Sequence, residues 1–167
     1  MTLKGYIDSL PQDQQYKLAI RLTKLVLPIW EDYAGNNKTT YRDTVVGLTH
    51  VVDKNLLRST VYSVEKYLKA IFVLKPIIKY SELNVLKGRF SDPVVALQDL
   101  DWELPNPVLM AFYSIHNLLD AVLGKEATAF DESMIYVTVN QAIQALESSK
   151  LYTTEEIKSI LYNNNGR

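Results

Sequence analysis

"NPVLMAFYSIHNLLDAVLG", Asn106 to Gly124, decides the fold class. Val108, Ala111, Phe112, Ile115, Leu118, Leu119 and Val122 recur at steps of one, three and four, which gathers them into one broad helical stripe. A stripe that wide belongs to a helix covered by several neighbours rather than one lying on a surface. The ends are marked as well. Asn106 is placed to cap, Pro107 suits the first turn, and Gly124 suits the left-handed residue that stops a helix.

The segments around it read as the neighbours it needs. Upstream, Tyr16, Ala19, Leu22, Val26, Ile29 or Trp30, and Tyr33 form a stripe starting near Ser9 and Pro11. Pro28 predicts a kink or break in that helix, and "AGNNK" predicts its end, with Gly35 as the left-handed stop. A second helix is expected over Thr39 to Val52, with Tyr41, Val45, Leu48 and Val52 inward and Gly47 within it. A third covers Leu56 to Leu74 through Leu57, Val61, Val64, Leu68 and Ile71, ended or kinked by Pro76. A short piece over Ser81 to Leu86 is closed by Gly88. Another begins with Asp92 as cap and Pro93 in its first turn and runs to about Asp99. Downstream, one helix spans Glu132 to Ser148, and a last one starts at Thr153, which stands at capping-box spacing from Glu156. The fold expected is all-α: a single-domain antiparallel bundle of six to eight helices over residues 1–167, with 163–167 a frayed tail.

Composition agrees. The chain has 167 residues, 47% hydrophobic and 22% charged, which suits one globular domain. Without cysteine it has no disulfide, thiolate metal site or cysteine nucleophile, and a reducing cytoplasm is the expected setting. "MTLKGYIDSLPQDQQ" lacks the basic and apolar regions of a secretory signal, and no apolar run approaches the length of a membrane span.

The net charge of -1 conceals a division. Residues 1–90 hold 14 Lys and Arg against 8 Asp and Glu, whereas residues 91–132 hold 1 against 8. At the centre of the acidic block lies "LQDLDWELPNP", Leu97 to Pro107. If extended, it aligns Asp99, Asp101 and Glu103 on one side and docks Leu100, Trp102 and Leu104 on the other. A helix would scatter the same residues, since a two-residue step turns about 200°. The readings are a solvated connector, an acidic patch facing a partner, or a metal site, the last lacking the glycine and final glutamate of a calcium loop.

Signatures of catalysis are sparse. The chain has neither a phosphate-binding glycine motif nor a G-x-S-x-G elbow, and no pair of E-x-x-H motifs for a di-metal centre. His116 and Asp120, four apart on one helix, could orient an imidazole for base catalysis or simply share a surface hydrogen bond. Basic stripes at Lys17, Arg21 and Lys24 and at Lys66, Lys69 and Lys75 read as solvated faces, and the acidic block would repel a phosphate backbone. Of eleven tyrosines, Tyr6, Tyr80, Tyr152 and Tyr162 lie near helix ends and are expected to be exposed.

"LPIWEDYAG", Leu27 to Gly35, resembles a leucine-proline-x-aromatic-x-x-aromatic segment that ends the first long helix in a small, uncharacterised bacterial family, carried here by Pro28, Trp30 and Tyr33. The basic residue those relatives place ahead of the proline is Leu25 here. The stretch from Asn106 to Gly124 is similar in pattern to that family's later helical pair. In type, though not in motif, the chain also resembles the helical immunity proteins of bacterial polymorphic toxin systems. That resemblance implies an acidic surface that steers in a basic toxin and an aromatic anchor desolvated at the contact.

The expectation is a non-enzymatic cytoplasmic protein, without cofactor or metal, that binds a basic protein partner through Asp99, Asp101, Trp102 and Glu103, with Asp120, Asp131 and Glu132 as outer charges. The alternatives are an enzyme or ligand-binding domain centred on His116 and Asp120, or a homo-oligomer in which the basic half of one chain meets the acidic block of another.

Overall fold

The computed structural model describes residues 1–72, 80–125 and 127–163. Seven helices and one small hairpin are described: α1 (Leu3–Ser9), α2 (Gln12–Asn36), β1 (Thr40–Arg42), β2 (Thr49–Val51), α3 (Leu56–Phe72), α4 (Tyr80–Gln98), α5 (Asn106–Val122), α6 (Met134–Ser149) and α7 (Thr154–Tyr162). The fold is all-α, a helical bundle with a hairpin attached.

Its centre is the helix that the opening stretch predicts. Ala111, Phe112, Ile115, Leu118 and Leu119 of α5 are fully buried, and α5 packs against α2, α3, α4 and α6. Gly124 closes it at φ +96°, while the Lys125 N–H returns to the Asp120 carbonyl at 3.0 Å, so the left-handed stop falls where expected. At the other end the cap is Pro105, one residue earlier than expected, and Pro107 lies within the first turn. α6 begins behind a Ser133 cap. α7 carries its capping box: the Glu156 N–H donates to Thr153 Oγ1 at 3.2 Å and the Thr153 N–H to Glu156 Oε2 at 2.7 Å.

The largest departure is the segment from Thr39 to Val52, which forms a hairpin rather than a helix. Asp43 Oδ1 accepts from the N–H groups of Val45 and Val46, and Gly47 turns the chain at φ +72°. Local capture of those donors competes with helix formation, and the threonines and valines around them favour strands. Thr40, Tyr41 and Arg42 pair antiparallel with Val51, His50 and Thr49. Tyr41 and Val52 are buried as expected, but Val45 and Leu48 stand outside.

Breakers in long helices are overridden elsewhere. α2 runs unbroken through Pro28 and contains Gly35 within its last turn. α4 is one helix through Gly88 and Pro93 rather than two, and Asp92 is interior rather than a cap. Leu83, Leu86, Phe90, Pro93 and Leu97 lie on its buried side, so continuous packing outweighs the lost hydrogen bond at the proline. Ile71 is exposed in the last turn of α3, where the apolar stripe outruns its partners. The expected stop at Pro76 and residues 164–167 of the expected tail lie outside the described residues.

α1, which the sequence reading leaves unassigned, is capped by Thr2. It is tied to α7: the Tyr6 hydroxyl donates to the Leu161 carbonyl at 2.8 Å, and its ring meets Tyr162 edge-on at 4.8 Å. Tyr6 is therefore buried, not exposed, and Tyr152 is half-buried, while Tyr80 and Tyr162 are exposed as expected.

Candidate functional site

The acidic connector between α4 and α5 does not run extended. Leu100 adopts φ +62°, and the Asp101 N–H returns to the Ala96 carbonyl at 2.9 Å, which closes α4 with a left-handed turn. A leucine in that conformation costs about 1–2 kcal/mol relative to the right-handed region. The turn breaks the expected alternation. Leu100 is 74% exposed, whereas Trp102 is 5% exposed and belongs to the core.

Trp102 anchors the connector through aromatic contacts. It meets Phe112 edge-on at 5.7 Å, Trp30 edge-on at 6.3 Å and Tyr41 at 5.9 Å. Tyr41 in turn stacks on His50 at 5.3 Å, so one tryptophan fixes both connector and hairpin against the bundle. Burial, followed by the charges of Asp92 and Asp43, raises the Tyr41 hydroxyl pKa, which marks those two carboxylates as neighbours of the same corner.

Outside this anchor the carboxylates stay near water. Asp99 and Glu103 are exposed, and Asp101 is half-buried with its Oδ2 accepting from the Thr44 hydroxyl at 3.3 Å. That bond sets the connector beside the hairpin tip, where Val45 is 90% exposed and Val46 and Leu48 are also in solvent. Two arginines of this part of the chain are engaged. Arg42 donates to the Gly47 carbonyl at 3.3 Å, and Arg89 lies 3.9 Å from Asp53.

The remaining acidic candidates are elsewhere. Asp120 sits fourteen residues into α5 from Asn106, about 21 Å along the axis from the connector end. It is buried rather than an outer charge, because Lys87 of α4 reaches it and Lys125 Nζ approaches at 3.8 Å. Asp131 and Glu132 lie in the loop before α6, close enough to Lys4 to help raise its pKa, behind the larger effect of Asp8.

His116 shares the buried cluster. Lys87 Nζ lies 2.9 Å from its Nε2, Asp120 Oδ2 lies 3.9 Å from the same nitrogen, and Phe90 packs against the ring at 5.5 Å. Burial lowers the imidazole pKa; Asp120 opposes this and Lys87 adds to it. Nε2 is thus in contact with Lys87, and Nδ1 is buried without a hydrogen-bond partner among the described residues. Lys87 is the member that sequence reasoning missed: it stands 29 residues before His116, and no periodicity links the two.

Elsewhere three lysines of the basic stripes are paired. Lys17 meets Asp13 at 3.0 Å, and Lys24 and Lys69 share Glu65 at 2.7 and 3.1 Å. Lys75 lies outside the described residues. Among the described residues no three His, Asp or Glu side chains converge as a metal site would require, and no helix is long and apolar enough to cross a membrane.

No protein-family model, curated protein or solved structure matches this chain.

Proposed function

We propose that the protein is a non-enzymatic binding protein that takes a basic protein partner on the face formed by the hairpin tip and the acidic connector. One observation carries this reading: Val45, Val46, Leu48 and Leu100 are all exposed beside Asp99, Asp101 and Glu103, at a corner joined by the Thr44–Asp101 hydrogen bond. A single exposed apolar side chain is ordinary, but a group of them beside three carboxylates, with Arg42 folded back onto the Gly47 carbonyl, suits a protein contact. The strained turn at Leu100 adds support, because it holds a leucine in solvent at a conformational cost.

The matching partner has apolar side chains surrounded by Lys and Arg. The carboxylates steer its approach, and the apolar tip is desolvated on contact. Trp102 acts from beneath, fixing the corner rather than touching the partner. An immunity protein that occludes a basic toxin in the cytoplasm is the biological form this reading favours. Neither the basic stripes, three of whose cations are paired, nor the enclosed imidazole offers a comparable open site.

The test is capture from the source cell with the full chain as bait, followed by association kinetics of the recovered partner. With Asp99 and Asp101 both changed to lysine, association at low salt is expected to slow by about tenfold or more and to lose most of its salt dependence. Unchanged kinetics in a folded variant would refute the assignment of this face.

A further inference from the structure

The hairpin offers more than side chains. The Asp43 N–H donates to the Leu48 carbonyl at 2.8 Å and the Val52 N–H to the Thr39 carbonyl at 2.7 Å. With Tyr41 opposite His50, these are the hydrogen-bonded pairs of the ladder. Thr49 and Val51 therefore fall at the alternate positions, and their N–H and C=O groups point away from β1. Both residues are exposed, and neither backbone makes a hydrogen bond across that outer edge among the described residues.

An edge of this kind is a template for another strand, and proteins usually blunt it with lysine, proline or a bulge. β2 reads Thr49-His50-Val51 and has no lysine or proline; its protection is shortness. The side chain of Val51 is 78% exposed on the solvent face, while His50 turns inward onto Tyr41. Asp43, whose Oδ2 lies 3.7 Å from His50 Nε2, and Asp53, two residues beyond Val51, flank the strand, and Asp101 is joined to the hairpin tip through Thr44.

Resting on the binding face proposed above, we propose that the partner docks by adding an extended segment to the outer edge of β2, pairing with the backbone of Thr49 and Val51. The segment alternates apolar and basic residues. Its apolar side chains lie beside Thr49 and Val51 on the solvent face, and its cations fall on the opposite face, that of Leu48 and Asp43. Main-chain bonds supply affinity in this mode, and the alternating side chains supply selectivity.

The probe is a blocked nine-residue peptide of alternating lysine and valine, titrated into the isotopically labelled full chain. Binding is expected to slow amide exchange at Thr49 and Val51, and replacing its lysines with glutamate is expected to abolish binding. N-methylation along one edge of the peptide is expected to weaken it by about tenfold or more, as is Val51→Pro, which removes the outward N–H and the Val51 side chain without breaking a bond to β1. The N-methylated peptide keeps the test valid even if the proline variant misfolds.

Absence of binding, equal binding of the N-methylated or glutamate peptide, or binding without protection at Thr49 and Val51 would overturn strand addition. If the N-methylated peptide still binds as well and D99K/D101K weakens it, the acidic face stands and the strand mode alone fails. If Thr49 and Val51 are protected but charge reversal changes nothing, the acidic-face reading fails instead. Sedimentation that shows a dimer dissociated by Val51→Pro would make a second copy the occupant and also overturn the proposal.

Discussion

The two ends of α5 hold carboxylates drawn from one acidic block, in opposite surroundings. Before its first turn the apolar Trp102 goes into the core, and Asp99, Asp101 and Glu103 remain near water. At its last turn the carboxylate itself goes in, with Asp120 enclosed by Lys87, His116 and Lys125. A buried carboxylate is costly unless paired, so the second arrangement commits its charges to holding α4 on α5. An exposed one costs little and contributes little to stability, so the first leaves its charges available to another molecule. Sign and sequence proximity alone would have grouped all of them into one surface.

The sharpest way to break this contrast is to remove the anchor at the connector end. Trp102→Ala is expected to destabilise by about 3–5 kcal/mol, since it empties a site bounded by Trp30, Tyr41 and Phe112. Urea unfolding measures this, and a loss below about 1 kcal/mol would mean that the tryptophan is not a core anchor. Asp120→Ala comes next. It leaves Lys87 and His116 without their carboxylate, and about 2–3 kcal/mol is expected, less than for a fully enclosed pair because the Lys87 side chain is 37% exposed. A loss within about 0.5 kcal/mol would place that pair with ordinary surface ion pairs.

The bundle was legible where packing and local signals agree. The stripe from Val108 to Val122, the stop at Gly124 and the capping box at Thr153 can each be read from a few neighbouring residues. The hairpin was not legible because Tyr41 and Val52 fit a helical stripe as well as one strand face, and the local bonds of Asp43 decided between them. The sequence divides α4 at Gly88 and Pro93, since the gain from its continuous buried side depends on partners distant along the chain. At the site, His116 and Asp120 were visible by their spacing; Lys87, from another helix, was not. The exposed leucine at the connector had no signature, because a left-handed stop normally carries glycine or asparagine.

The buried end should also respond to pH. Burial holds the folded His116 pKa below its ordinary 6.5, so the unfolded chain takes up the proton first as pH falls. Stability is therefore expected to drop below about pH 6.5, by at most about 1.4 kcal/mol per pH unit, until the folded imidazole is itself protonated. Glu65, where burial raises the pKa but the bonds and charges of Lys24 and Lys69 lower it overall, and Glu156, lowered by hydrogen bonds from Thr153, lose their contributions only near and below the ordinary 4.5. Unfolding between pH 6.5 and 5 thus reads the histidine apart from those two glutamates. His116→Gln should flatten the slope there, and an unchanged slope would assign it to another group.

The smallest effect belongs to the connector carboxylates, and its smallness is what matters. Reversing Asp99 and Asp101 to lysine should alter stability by no more than about 0.5–1 kcal/mol, since Asp99 is exposed and Asp101 gives up one bond to Thr44. The same double change should cut partner association severely. A residue pair that affects binding strongly and folding weakly is a recognition element, whereas Asp120 should show the reverse. If thermal unfolding showed the double reversal to be as damaging as Asp120→Ala, the connector carboxylates would be structural too. The difference between the two ends of α5 would then be one of exposure alone.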